Sequence, residues 1–190
     1  MSSSFCSRFE AAVITAAFVL AAPLVGFAGE KITDPSPDGR FAMSREDGGN
    51  GEVTIALVDA KTQKFLLKLD DSGHPYSDAA RIFWAPDSKR FAFYEEGKKN
   101  DLTFLYVRRD SGFGDIELPD IPECKHPGID GMAYISLKPK NWAKPDTLVL
   151  TQHEEWSSED GENHKCEKTV TIVIDPSGKA SIQSIQEKKK

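Results

Sequence analysis

The densest run of side chains able to do chemistry in this 190-residue chain is "QHEEWSSEDGENHKC", Gln152 to Cys166. It holds His153, Glu154, Glu155, Glu159, Asp160, Glu162 and His164. Imidazoles mixed with carboxylates suit a transition metal, and carboxylates alone suit calcium. A divalent-cation site would draw on His153, Glu154, Glu155, Asp160 and His164. The spacing fits no established cation loop. The alternative reading is a solvated acidic hairpin loop whose charges discourage strand pairing, and no cofactor is expected.

The rest of the chain adds little reaction chemistry. It has no G-x-S-x-G elbow, no H-E-x-x-H pair and no Gly-rich phosphate loop. Ser111 lies in "DSGFG", an ordinary turn composition. His74 and His126 stand beside prolines, as exposed loop residues do. Aromatics set among polar residues are the mixture that binding hot spots favour, and Tyr76, Trp142 and Trp156 have that setting, on expected loops. Two functional classes follow. The first is an exported, non-catalytic binding module acting through loop surfaces. The second is a small hydrolase or metal-dependent enzyme built on residues 152–166.

The location of the chain shapes both readings. Residues 1–28 read as a signal peptide: a short leader with one Arg, the apolar run Ala11–Ala28, and a Gly26-Phe27-Ala28 cleavage site. A retained anchor is the alternative, because about eighteen apolar residues also approach the length of a membrane span. The remaining residues, 29–190, are of single-domain length. With 30 acidic against 24 basic residues, the chain lacks the basic surface needed for nucleic acid or anionic membranes. Two cysteines remain after cleavage, Cys124 and Cys166, and an oxidising compartment would pair them. Closing a loop of about forty residues contributes on the order of 4 kcal/mol in the chain-entropy model. The expected location is therefore periplasmic or secreted. The expected partner is another envelope or secreted protein.

The elements that position these residues repeat. "SPDGRFAMS", Ser36–Ser44, returns as "APDSKRFAFY", Ala85–Tyr94. Pro sets the first turn torsion, Asp accepts backbone N–H groups, and Gly39 tolerates a positive φ. An alternating strand follows each turn. A third, degraded copy is expected in "LKPKNWAKPDTLVLTQ", with a Pro-rich turn after Leu137. Around these copies lie further strand patterns: Lys31–Thr33, Val53–Asp59, Lys64–Leu69, Ala80–Trp84, Leu102–Val107, Gly114–Leu118, Met132–Leu137, Asp146–Gln152, Thr169–Asp175 and Ala180–Ile185. No sustained helical period appears.

Four strands about every fifty residues is a propeller-blade pattern. "WAPDSKRFAFY" and "SPDGRFAMS" resemble the WSPDG repeat of TolB-type β-propellers, which also occurs in the propeller domains of prolyl peptidases. The resemblance covers the first two units well and the third poorly. Trp84 stands at the family's blade Trp position, Pro35 replaces it in the first unit, and the third unit departs. The hydrolase domain that carries a peptidase triad is absent, so the resemblance implies no catalytic residue. The expected fold class is all-β: an antiparallel meander of about three four-stranded propeller-like blades, or alternatively a β-sandwich or barrel. Three blades leave open edges, which a homodimer would cover.

Overall fold

The computed structural model describes residues 31–48, 53–70, 79–97, 100–124, 129–158 and 161–188. The apolar leader, His74, Tyr76, His126, Glu159 and Asp160 lie outside the described residues. The described chain is all-β and falls into three four-stranded antiparallel units. Unit 1 is β1 (Lys31–Thr33), β2 (Phe41–Asp47), β3 (Val53–Asp59) and β4 (Phe65–Asp70). Unit 2 is β5 (Arg81–Trp84), β6 (Arg90–Glu95), β7 (Asn100–Arg109) and β8 (Gly112–Ile116). Unit 3 is β9 (Ile129–Lys144), β10 (Thr147–Ser158), β11 (Asn163–Ile174) and β12 (Ala180–Glu187). A short parallel step, Asn100↔Ile135 and Asp101↔Ser136, joins units 2 and 3 into one eight-stranded sheet. Among the described residues the sheets do not close into a barrel.

The repeated turns behave as their composition dictates. Ser36 Oγ donates to Asp38 Oδ1 at 2.7 Å and accepts the Phe41 amide at 3.0 Å, while Gly39 takes a φ of 69°. In the second copy Ser88 occupies the left-handed region, at φ 57°, where a side chain is disfavoured. Its hydroxyl accepts the Asp38 amide at 3.1 Å, so the side chain that strains one turn fastens it to the other.

The third unit departs from expectation at two places. β9 runs through Lys144, so no turn follows Leu137, and the reversal lies at residues 145–146. Pro139 is accommodated because the β9–β10 register shifts between Val149 and Leu150, where a missing N–H is tolerated. Gln152–Cys166 is no long loop. β10 continues to Ser158 and β11 begins at Asn163, with Ser157 paired to Asn163 at the tip.

Packing makes three layers. On unit 2, Ile82, Trp84, Phe91, Phe93, Tyr106 and Phe113 share one face, and they meet Phe41, Met43, Val53, Ile55 and Leu57 of unit 1. The opposite face of unit 2, with Phe83, Ala92, Leu105, Val107 and Ile116, meets Leu148, Leu150, Val170, Ile172 and Ile174 of unit 3. The middle sheet is thus covered on both sides. Each large apolar side chain buried there contributes roughly 1.5–3 kcal/mol.

The layers are pinned by a repeated hydrogen bond. Trp84 Nε1 donates to the Asp34 carbonyl at 2.8 Å, and Trp142 Nε1 donates to the Phe83 carbonyl at 2.8 Å. Asp34 and Phe83 each lie two residues before a turn motif, Ser36–Gly39 and Ala85–Ser88. Trp142 is therefore the third unit's counterpart of Trp84, a correspondence hidden in the sequence by one inserted residue, Lys144, before Pro145-Asp146.

Candidate functional site: a polar face on the third unit

β10 alternates strictly, and that alternation divides the His/Glu cluster. Gln152, Glu154 and Trp156 turn inward, while His153 and Glu155 turn outward with Thr151. On the outer face His153 Nε2 lies 2.9 Å from Glu155 Oε1, and Lys165 Nζ donates to the same oxygen at 2.6 Å. The Lys165 and His153 contacts hold the Glu155 carboxyl below its ordinary value. On the inner face Glu154 is wholly buried, and both its oxygens accept the Cys124 amide, at 3.0 and 3.1 Å. His164 stacks on Trp156 with ring centroids 5.5 Å apart, and its Nε2 lies 2.9 Å from Ser158 Oγ. His153, Glu154, Glu155 and His164 thus belong to three separate sets of contacts. Among the described residues no three His, Cys, Asp or Glu side chains converge as a metal ion would need.

The two tryptophans lie on strands rather than on the expected loops. Trp142 is half-buried in β9 with its N–H engaged by Phe83, and Trp156 is 8% exposed on the inner face of β10. Cys124 and Cys166 are bonded, with Cα atoms 6.4 Å apart.

A second cluster escaped the sequence reading. Asp101 Oδ2 accepts three hydroxyls: Tyr94 at 2.7 Å, Tyr134 at 2.6 Å and Ser136 at 2.7 Å. The four residues come from β6, β7 and β9, and they meet because the parallel step sets Asp101 beside Ser136. Burial alone would raise the Asp101 pKa, but the Tyr134, Ser136 and Tyr94 donors outweigh it and hold the carboxyl below its ordinary range. Burial and the Asp101 hydrogen bond push the Tyr134 phenol up to about 12, and the same causes raise Tyr94. The carboxylate stays charged and the phenols stay protonated. Such a group holds geometry and does not exchange protons near neutral pH.

The outward face of unit 3 continues from this cluster. Tyr134 is the register neighbour of Glu155, Ser136 of His153, and Lys138 of Thr151. Lys138 Nζ stands 4.9 Å over the Tyr94 ring and 3.9 Å from Glu96 Oε1. One polar face therefore runs from Glu96 and Lys138, past Tyr134 and His153, to Glu155 and Lys165. The charged side chains along it remain accessible: Lys138 53%, Glu155 39% and Lys165 62% exposed. Nothing in local composition marks Asp101, because its partners lie 7, 33 and 35 residues away.

No family model matches the chain, and no curated protein matches it. Among solved structures the chain is similar to a protein assigned as TolB from Agrobacterium tumefaciens. The identity is 14% and the TM-score 0.34, over 83% of this chain and 50% of that one. The chain thus spans about half the length of that structure.

Proposed function

We propose that this chain is an exported binding module without turnover, which engages another envelope or secreted protein through the polar face of unit 3. The observation that carries the reading is the Asp101 knot beside a row of accessible charges. Three hydroxyls saturate the one strongly buried carboxylate of that face, and the row of Lys138, His153, Glu155 and Lys165 stands on a fixed sheet. A rigid scaffold carrying mixed charge suits recognition of a protein surface, because complementary charge sets orientation and association rate. Export is supported by the Cys124–Cys166 bond, since disulfides persist in oxidising compartments. A homodimer covering sheet-end strands such as β4 or β12 is compatible with this use of unit 3.

The test is capture from native envelope extract by wild type and by a Lys138→Glu/Lys165→Glu double variant, at low and high salt. The expected result is a partner retained by wild type, weakened roughly tenfold by the double variant and by salt, with an unchanged melting temperature. Equal capture by both proteins would remove this face from the site.

A further inference from the structure

We propose that the segment from Pro119 to Cys124 is a strap released by reduction of the Cys124–Cys166 bond, uncovering a recess built from Gln152, Glu154 and Lys168. This inference is independent of the partner proposed for the outer face, because the recess lies on the inner face of the β10–β11 hairpin. Gln152, Glu154 and Lys168 are 4%, 0% and 3% exposed, an unusual degree of burial for such side chains.

The strap takes part of their hydrogen bonding. Lys168 Nζ donates to the Pro122 carbonyl at 2.9 Å. Gln152 Nε2 donates to Glu154 Oε1 at 2.6 Å, and lies 3.5 Å from the Pro122 carbonyl. Glu154 accepts the Cys124 amide through both oxygens. The recess thus donates to one backbone carbonyl and accepts the amide two residues later, which is how a polar pocket reads an extended main chain. Its fit to the strap is incomplete, since Gln152 Oε1 is buried with no hydrogen-bond partner.

Beyond Ile121, which packs against the second core, the strap is held by these bonds. It follows β8, belongs to no strand, and carries Pro119 and Pro122, which cannot donate to a sheet. Leu118 and Ile121 pack against the second core and mark its hinge end. The covalent bond fixes the far end, at Cys166 of β11. Cys166 is partly exposed whereas Cys124 is buried, so an incoming thiolate meets Cys166 first.

The chemistry requires a dithiol reductant. Its thiolate attacks the Cys166 sulfur, the Cys124–Cys166 bond breaks, and Cys124 leaves as thiolate and takes a proton. The second reductant thiol then displaces Cys166, which is protonated in turn. Two electrons and two protons end on the protein, and the reductant departs as a disulfide. The strap then swings from Ile121, and Glu154 and Lys168 gain access to water or to another extended chain.

Hydrogen exchange on the full chain tests this, comparing oxidised protein, protein reduced with dithiothreitol, and protein reoxidised afterwards. In the reduced protein the Cys124 amide, which Glu154 accepts in the oxidised protein, is expected to exchange nearly as fast as in an unstructured peptide. The amides of Leu148, Leu150, Val170 and Ile172 should remain protected, with reoxidation restoring the strap. A Cys124→Ser/Cys166→Ser variant should behave as the reduced protein without added reductant. If the strap stays as protected as β10 when reduced, hydrogen bonds alone hold it and the proposal fails. If core and strap lose protection together, the disulfide staples the whole fold and the proposal also fails.

Discussion

The two junctions of the middle sheet solve the same packing problem with different materials. The junction with unit 1 is aromatic. Trp84 lies 4.9 Å from Phe91 and 6.0 Å from Phe41, Phe113 sits edge-on to Phe41 at 5.1 Å, and Arg40 and Arg108 cover the Phe41 ring at 5.4 and 5.2 Å. The junction with unit 3 is aliphatic, built on Ala92, Leu105, Leu148, Leu150, Val170 and Ile172. It carries the devices that the first lacks: a shared sheet ladder, the Asp101 knot and the disulfide-held strap. Wide rings bury much area through few residues, and the polar ties beside them are single hydrogen bonds, Asp38 N–H to Ser88 Oγ and Ile82 N–H to Asp34 Oδ2. Smaller side chains bury less apiece, and polar fastenings at the rim supply orientation that packing leaves loose. The tryptophan-to-carbonyl bond is common to both junctions, so it belongs to the repeat and not to either solution.

The comparison breaks most sharply at the junction centres. Phe91→Ala removes the ring that touches Trp84, Tyr106 and Phe113, and should cost about 3–5 kcal/mol by urea unfolding. Leu150→Ala, on the other side of the sheet, should cost about 2–5 kcal/mol, toward the lower part of that range if the fastenings hold unit 3 in place. A Leu150 variant that loses clearly more than the Phe91 variant would reverse the assignment of strength.

Next in size is Asp101→Asn, which leaves three hydroxyls facing an amide and should cost about 1–3 kcal/mol. The same knot sets a pH dependence. The folded-state pKa of Asp101 is depressed, so its contribution is present above the ordinary carboxylate value and is lost as pH falls through the lower folded value. Tyr134 has the opposite sign. Its pKa is raised to about 12, so its contribution is intact below the ordinary phenol value and is lost as pH rises toward 12. Unfolding midpoints of wild type and Asp101→Asn should therefore converge in acid. Parallel curves down to the acid limit would show that the carboxylate charge contributes nothing.

Smaller again, and more diagnostic, are Trp84→Phe and Trp142→Phe. Each removes an indole donor and leaves a carbonyl behind, for roughly 1 kcal/mol apiece. Near-equal losses would confirm one repeated device in two places, and a several-fold difference would not. The smallest effect belongs to Glu155→Gln, at an exposed carboxylate, where the melting temperature should stay unchanged even though two hydrogen-bond partners are disturbed.

Much of this architecture is legible in the sequence, for stated reasons. Each observed strand falls on a strand pattern read from the residues, because period-two alternation persists wherever one face meets a core. Reading fails where that face turns polar. Gln152, Glu154 and Lys168 point inward, so an apolar/polar code reads the hairpin tip as loop even though the burial alternation continues through Trp156. Pro139 misled in the same way, because a register shift lets a strand keep a residue that normally ends one. The Asp101 site was out of reach, since it exists only after three strands from two units are set side by side.

Among the described residues no backbone pairing crosses from β1–β4 to the rest, so unit 1 is tied to the eight-stranded sheet by packing and by the single hydrogen bonds at Asp34 and Asp38 and not by a ladder. Its opening would uncover the aromatic face bearing Ile82, Trp84, Phe91 and Phe93. A species opened at that layer would present a broad apolar sheet surface to its neighbours in solution. Association under stress would then follow the opening of that single layer as well as global unfolding.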